Sequence, residues 1–486
     1  MRYATEEQLS IVESRAHRLK VQAFAGTGKT ATATMFIQSR PRTRFLYLVF
    51  NKSAQIEARN RFRRLPNVRP QTTHSLAYRL IGHRFRHKLQ GSLRSAHVQA
   101  AIDPRGQMNY RSRMLIAGVV NAFLRSRDEQ INLAHVRAVT PADTGVRFDR
   151  IQQLAQQLWQ AMSDPDNLQV AITHDGYLKL LQSARIDLSQ WFDHIIVDEG
   201  QDINPLTAAI LEQQSLPQLF IGDSHQAIYR FRGAVNALEQ VRVDETRTLT
   251  SAFRYGPELA ILASMTLANH KGEDDLIIGY GGATSIQLDD PLAGGCTRVH
   301  RTFAECFRSA FEALQRNQRV HWVGGIGSYP LSDLTNLYYL KSGQWGQISD
   351  WTLAREFPTY EAYRDSAKTL EDPEMLRLIR VVEEFDGQIP SLVARMQASA
   401  VDAEKAQCTV TTAHRAKGLQ WSQVELADDF PDWHDNRRTQ SEHEDEINLA
   451  YVAATRARDS LSLSSMQYEQ LTTAPPPRIN RTPMRS

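Results

Sequence analysis

Cysteine is scarce: Cys296, Cys306 and Cys408 are the only three, odd in number and scattered along the chain. That excludes a disulfide framework, supplies no zinc or iron–sulfur spacing, and fits a reducing compartment. Long apolar runs are missing too; none approaches the ~18 residues of a membrane span. The polar opening, Met1–Ser10, lacks the apolar core of a secretory signal. The expectation is a cytoplasmic protein with no membrane partner. An excess of one charge is also absent. The net charge is only +3, so binding to a nucleic acid would have to rest on local clusters. No fixed-period repeat is present. What the chain does have is 42% hydrophobic residues over 486 positions, enough for packed cores in about three domains.

The most informative stretch is Val21–Thr30, V-Q-A-F-A-G-T-G-K-T. Its apolar run Val21–Ala25 predicts a short buried strand, Gly26, Thr27 and Gly28 a turn, and Lys29 and Thr30 the start of a helix. Glycines let the backbone turn tightly and aim N–H groups at an anion, and a helix N-terminus adds partial positive charge. Lys29 can then reach the β- and γ-phosphates of a nucleotide, and the Thr30 hydroxyl suits Mg²⁺. The simpler alternative is a glycine turn before a helix. The first glycine of the general phosphate-loop pattern is replaced by Ala23.

Asp193–Asp202, D-H-I-I-V-D-E-G-Q-D, predicts an apolar strand ending in acids. Asp198 can hold Mg²⁺, and Glu199 can take the proton of an attacking water. Alone this reads rather as a solvated acidic turn after a buried strand; beside the glycine loop it supplies the second half of what nucleoside triphosphate hydrolysis needs. Phe220–Ala234, F-I-G-D-S-H-Q-A-I-Y-R-F-R-G-A, is another strand ending in polar groups. Gln226 could report on a γ-phosphate. Tyr229 and Phe231, interleaved with Arg230 and Arg232, either pack in the core or offer ring faces to unstacked bases.

Residues 1–84 alternate apolar runs with helical patterns, as a parallel α/β sheet does. Residues 85–172 are polar, Arg- and Gln-rich and mainly helical. Sheet character returns at Phe192–Val197 and Gln218–Ile221. A second set follows at Thr297–His300, Val320–Gly324, Thr409–Thr412, Val424–Leu426 and Leu461–Ser464. Residues 330–400 read as helical, and 471–486, with Pro475–Pro477 in a row, as a disordered tail. Six cations lie between Lys52 and Arg69 against Glu57 alone, and more follow at Arg79, Arg84, Arg86 and Lys88. These are either a solvated helix face or a phosphate-binding surface. His74, His83 and His87 lack cysteine or carboxylate partners at ligand spacing, so no metal is expected there.

In their order, these motifs resemble those of superfamily 1A DNA helicases of the UvrD/Rep type, along nearly the whole chain. Thr5–Gln8 resembles the adenine-reading glutamine motif. Phe50-Asn51-Lys52 and Thr72-Thr73-His74 resemble DNA-contacting motifs of the first motor domain. Leu249–Arg254 resembles motif IV, with Phe253 placed to stack on adenine and Arg254 as an arginine finger. Thr411–Leu419 resembles motif V, and Tyr451–Ala457 motif VI with Arg456 as the second finger. Thr173–Leu180, Val323–Gly325 and Asp428–Phe430 are similar to the F-box DNA helicase branch in particular. The motor pattern opens near Thr5 and the chain ends soon after motif VI, so neither an F-box nor a fused nuclease is expected.

The resemblance implies an α/β fold of two RecA-like P-loop motor domains with parallel sheets, each with a mainly helical insertion. The motor domains would be 1–84 with 173–270 (1A) and 271–329 with 401–470 (2A); the insertions would be 85–172 (1B) and the small 330–400 (2B). It implies ATP in the cleft between them, bound by Gln8, Ala25, Gly26, Thr27, Gly28, Lys29, Thr30, Phe253 and Gln420, with Mg²⁺ on Thr30 and Asp198. Glu199, Lys29, Arg254, Arg456 and Gln226 would serve hydrolysis. Single-stranded DNA would lie on Phe50, Asn51, Thr73, His74, Tyr229, Phe231, Arg232, Thr411 and His414. The expected activity is ATP-driven unwinding or 3′→5′ translocation on single strands and single/double-strand junctions, in repair or recombination, at the nucleoid if prokaryotic. The alternative is an ATP-gated clamp or protein-stripping translocase acting with a protein partner. Two residues depart from the pattern: the usual Glu closing motif V is Gln420, expected to grip the ribose more weakly, and the usual Ala of the acidic run is Gly200.

Overall fold

The apolar runs become strands, the first displaced to Arg18–Ala23 from the expected Val21–Ala25. In the computed structural model, which describes residues 4–93, 95–140, 147–229, 238, 241–290, 292, 295–369 and 373–475, contacts divide the chain into two units. One holds the chain up to Ala23 together with Lys29–Leu249; the other holds Phe24–Gly28 together with Thr250 onward.

In the first unit the strands are β1 (Arg18–Ala23), β2 (Phe45–Val49), β3 (Val68–Thr72), β4 (His194–Asp198), β5 (Gln218–Gly222) and β6 (Glu245–Leu249). They form one sheet in the order β3-β2-β4-β5-β1-β6, and every pairing is parallel. The central strands β2 and β5 are buried along their whole length, as strands covered on both faces must be. Helices Lys29–Gln38 and Lys52–Arg61 pack through Phe36, Ile37 and Ala58 on one face of the sheet. Helices Thr73–Leu80 and Pro205–Glu212 contribute Leu76 and Leu211 to the other. Their starts are fixed by side chains that accept otherwise orphaned N–H groups: Asn51 from Ala54, Thr72 from Ser75 and Asn204 from Thr207.

Between Thr73–Leu80 and His174–Ala184 the chain makes helices Ser95–Ile102, Tyr110–Arg125, Leu133–Val139 and Phe148–Ser163. These have their own core, including Ile116, Val120, Phe123, Leu154 and Leu158. Lys179, fully buried, is tied to this layer: its ammonium donates to the Ser126 and Asp128 carbonyls and sits 4.3 Å from the Phe123 ring centre.

The second unit has a two-stranded pair, β7 (Ser251–Ala252) with β8 (Ile278–Gly279). Its main sheet is built from β9 (Ser285–Leu288), β10 (Thr297–His300), β11 (Val320–Trp322), β12 (Cys408–Thr412), β13 (Trp421–Leu426) and β14 (Ala457–Leu463). The order is β11-β12-β10-β13-β14-β9, again all parallel. Among the described residues, five α-helices, from Leu331–Lys341 to Ile389–Ser399, lie between β11 and β12 in the sequence. The fold is thus mixed α/β with two six-stranded parallel sheets, as the sequence predicts. Helix Ser465–Thr472 reaches into the stretch expected to be disordered; residues 476–486 of that stretch lie outside the described residues. Among the described residues no helix is long and apolar enough to cross a membrane.

His194 gives the first unit an acid sensitivity. Its ring sits 5.3 Å from Phe36 and 5.4 Å from Phe45, with Nε2 unpartnered. Burial first, then Arg40 and His17, lowers its pKa to about 4. An unfolded histidine titrates near ~6.5, so the unfolded chain holds the proton more tightly and stability is lost as pH falls from about 6.5 through about 4. His194→Leu should abolish that loss. In urea denaturation between about pH 7 and about pH 4.5, the wild type should lose about 2 kcal/mol more than the variant; equal losses would refute the assignment.

Candidate nucleotide and nucleic-acid site

The loop after β1 turns through Gly26 and Gly28, with φ of 81° and 82°, a region that costs glycine nothing and other residues dearly. Thr27 donates its hydroxyl to the Phe24 carbonyl at 2.7 Å. Lys29 then opens helix Lys29–Gln38, and its ammonium donates to Glu199 Oε2 at 3.1 Å. Asp198 closes β4. Its Oδ2 accepts the Tyr47 hydroxyl at 2.7 Å and its Oδ1 the Glu199 N–H at 3.0 Å. From Glu199 a chain of bonds continues. Gln201 Nε2 donates to Glu199 Oε2 at 2.5 Å, Gln201 Oε1 accepts the Asp223 N–H at 3.1 Å, and Gln226 Nε2 donates to Asp223 Oδ2 at 2.7 Å. Lys29, Glu199, Gln201, Asp223 and Gln226 are therefore one connected network within the first unit.

Its electrostatics are lopsided. Burial opposes the charge on Lys29, but the carboxylates of Glu199, Asp223 and Asp198 outweigh it and hold the ammonium pKa above its ordinary value. Asp198 is pushed up, by burial first and by Glu199 next. Three carboxylates thus face one ammonium, and the surplus of negative charge suits a divalent cation with phosphates, which needs only one or two protein carboxylates.

A second cluster lies at the carboxyl ends of β2, β3 and β4, where open α/β sheets bind ligands. Phe50, Thr73, His74, Asp198 and Tyr229 line a cavity of about 230 Å³. The Phe50 and Tyr229 rings stack with centres 5.2 Å apart and planes 12° from parallel. His74 Nε2 lies 2.9 Å from Asp175 Oδ1, and Arg125 Nε 3.6 Å from Asp175 Oδ2. Burial would raise the Asp175 pKa, but His74 and Arg125 overcome it and the net shift is downward. Asn51 caps its helix through Oδ1, which accepts the Ala54 N–H at 2.8 Å, and Phe231 and Arg232 lie outside the described residues. The cations Lys52, Arg59, Arg61, Arg63, Arg64 and Arg69 are all exposed. Lys88 is not part of any such surface: it is buried and donates to the Ala161 and Asp164 carbonyls at 3.2 and 2.7 Å.

In the second unit the loop Phe24–Gly28 is held by tyrosines. The Tyr451 hydroxyl accepts the Ala25 N–H at 2.9 Å, and the Tyr255 hydroxyl donates to the Ala25 carbonyl at 2.8 Å. Phe253 stacks on Tyr280 with centres 6.0 Å apart. Arg254 donates through Nε to Gln420 Oε1 at 3.0 Å and through Nη1 to the Thr455 carbonyl at 2.9 Å. Arg456, 1% exposed, donates to the Val452 and Leu419 carbonyls at 2.8 and 3.2 Å and to Thr455 Oγ1 at 3.1 Å. Thr411, expected to touch DNA, is wholly buried and donates to the Thr412 carbonyl at 3.2 Å; His414, three residues on, is half-buried.

The sequence pattern of the UvrD/REP helicase N-terminal domain matches residues 4–241, and that of the UvrD-like helicase C-terminal domain residues 353–468. The chain belongs to the UvrD/Rep helicase family. It is 32% identical to F-box DNA helicase 1 of Gallus gallus over 95% of its own length and 49% of that protein. It is 28% identical to F-box DNA helicase protein 1 of Schizosaccharomyces pombe over 95% of its length and 57% of that protein. A shorter match, 30% identical over 29% of this chain and 22% of the other, is to DNA helicase IV of Escherichia coli. The chain spans about half the length of the two F-box relatives.

Within this UvrD/Rep chain, Gly200 has a local reason. A Cβ there would stand 2.9 Å from Leu238 Cδ2, so the alanine usual in the family would crowd the core. Gln8 has its Oε1 committed to the Thr5 N–H in a capping box, leaving its NH₂ for any contact with a base. The oxygen of Gln420 expected to face a ribose is held by Arg254. Sequence reasoning missed Tyr47, Asp175, Gln201, Tyr255, Tyr280 and Tyr451. Asp175, Gln201 and Tyr451 stood inside recognised runs without a role assigned to them; Tyr47, Tyr255 and Tyr280 gave no signal of theirs, since their partners are distant in sequence. Tyr47→Phe should leave a buried Asp198 oxygen short of a donor and cost about 1–3 kcal/mol in stability. Urea denaturation of the two proteins checks this, and an unchanged midpoint would mean the bond contributes nothing.

Proposed function

We propose that the chain is an ATP-dependent DNA motor that moves 3′→5′ along single-stranded DNA and separates duplex at single/double-strand junctions. The reading rests on the connected network from Lys29 through Glu199, Gln201 and Asp223 to Gln226, which joins a phosphate loop to the strand end that bears Tyr229. Family membership and the names of the F-box DNA helicase relatives support it.

ATP supplies the phosphoanhydride bond and Mg²⁺ the charge that neutralises its oxygens. Everything else falls to the chain. The turn at Gly26 and Gly28 presents N–H groups to the phosphates, and Lys29 exchanges Glu199 for phosphate oxygens. Thr30 and Asp198 hold the metal, with Tyr47 keeping the Asp198 carboxyl in place. Once Lys29 turns to phosphate, Glu199 is left to take a proton from water, with Gln201 orienting it. Gln226 carries the presence of phosphate to Tyr229 through two intervening residues. Arg254 and Arg456 bring positive charge to the transferring phosphoryl group. Phe50 and Tyr229 offer ring faces to bases, and the exposed cations from Lys52 to Arg69 neutralise phosphates.

DNA-stimulated ATP hydrolysis by the purified chain, followed by unwinding of duplexes with a 3′ or a 5′ single-stranded tail, tests the proposal. Hydrolysis should rise with single-stranded DNA, and only the 3′-tailed duplex should open. Lys29→Ala should abolish hydrolysis while leaving nucleotide-free DNA binding near wild type; hydrolysis at wild-type rate would defeat the phosphate-loop assignment. Arg254→Ala should cut turnover by about 10³–10⁵, the worth of an arginine finger, with a far smaller change in ATP affinity. A pure loss of affinity would make Arg254 a ground-state contact instead.

A further inference from the structure

The second unit contains a cavity of about 400 Å³ that shares no residue with the nucleotide or DNA groups. It lies between the carboxyl ends of β10 and β13 and one face of helix Phe303–Gln315. Much of its wall comes from residues 298–312, a stretch that neither family pattern matches. Five carboxylates line it against two guanidinium groups. Three of the five are already engaged. Arg298 pairs with Glu425 at 2.8 Å and Arg308 with Glu305 at 2.9 Å. Asp429 accepts the N–H groups of Arg301 and Thr302 at 2.9 and 2.8 Å. Glu312 and Asp428 have no ion-pair partner within 4 Å among the described residues.

The observation that turns an acidic cluster into a site is His300. It lines the cavity, is 2% exposed, and neither ring nitrogen has a hydrogen-bond partner. The nearest carboxylate oxygen, on Asp429, is 3.9 Å from Nδ1. A buried polar group without a partner costs free energy and calls for a reason. Burial, and then Arg298, lowers its pKa to about 3, so the ring is neutral in the cell and one nitrogen is an acceptor.

We propose that this cavity binds a guanidinium group, with Glu312 and Asp428 supplying the charge and the His300 imidazole accepting an N–H. The chemistry selects among cations. Among the described residues no three histidine, cysteine or carboxylate side chains are placed to hold a metal ion, and the volume far exceeds what an ion needs. The acceptors are spread over a helix, a loop and a strand end. A planar donor with five N–H groups can serve such spread acceptors at once, where a compact ammonium serves fewer. The guanidinium belongs either to an arginine of a polypeptide or to a small molecule.

Calorimetric titration of the whole chain with agmatine, and with acetyl-Gly-Gly-Arg-Gly-Gly-amide, tests the site. Each is compared with its uncharged ureido counterpart, carbamoylputrescine and the citrulline peptide. At least one guanidinium probe should bind at least tenfold more tightly than its counterpart. Glu312→Gln combined with Asp428→Asn, both shape-conserving changes, should erase at least tenfold of that affinity while leaving DNA-stimulated ATP hydrolysis unchanged. A tighter peptide identifies a polypeptide source and tighter agmatine a small molecule. If neither cation outbinds its counterpart, or if the double variant binds like the wild type, the proposal is wrong.

Discussion

The ion pair between Lys29 and Glu199 is the constraint around which the first unit is arranged. A buried pair is poor evidence of stability in itself, because desolvation consumes most of the attraction. Here the two partners come from the ends of β1 and β4, which are not neighbours; β5 runs between them. That order puts Asp223, at the end of β5, beside both. Asp198, Glu199 and Asp223 therefore gather around Lys29 because the sheet is parallel and every strand ends on the same side. A single antiparallel insertion would scatter them to opposite edges. The sheet's topology is thus the first cause of the site's surplus negative charge.

Sheet topology also explains what could be read from the sequence. β2, β4 and β5 announced themselves as apolar runs because each has a strand on either side and helices over both faces; β1, R-L-K-V-Q-A with alternate residues buried, did so only through its last residues. β3 and β6 did not. Val68–Thr72 is V-R-P-Q-T and Glu245–Leu249 is E-T-R-T-L, and both lie at the edges of their sheet, as does β9 in the second. An edge strand is half-exposed, tolerates proline and gains from charge that discourages stray pairing. Its sequence therefore looks like a loop. β11, at the other edge of the second sheet, was legible all the same as Val320–Gly324, so an edge position weakens the signal without erasing it.

The site divides the same way. Gly26, Gly28, Lys29, Asp198 and Glu199 were legible because loop, helix start and strand end are contiguous, and the chemistry demands those residue types at that spacing. The parts played by Tyr47, inside an apolar run, and by Tyr451, at the head of a motif, were not, since each shows only once its hydroxyl is found on Asp198 or on the Ala25 N–H. Thr411 stands apart: it lies in a strand buried from Cys408 to Thr411, and its hydroxyl is turned to the Thr412 carbonyl.

The two arginines expected to act on phosphate are held differently, and that difference bears on how each could act. Arg456 donates to two carbonyls and a hydroxyl of its own helix end and the neighbouring loop, and is almost wholly buried. To reach a phosphate it would have to give up three such bonds, each contributing about 0.5–1.5 kcal/mol. Charge-assisted bonds to phosphate oxygens, at about 1.5–3 kcal/mol each, could offset that. Arg254 is half-buried, and of its two bonds described above, one goes to a neutral glutamine. A carboxylate at position 420 would place a full charge on Nε and hold the guanidinium more strongly. Gln420 lowers that hold. The departure from the family pattern that seemed a loss at the ribose thus acts first on the arginine beside it.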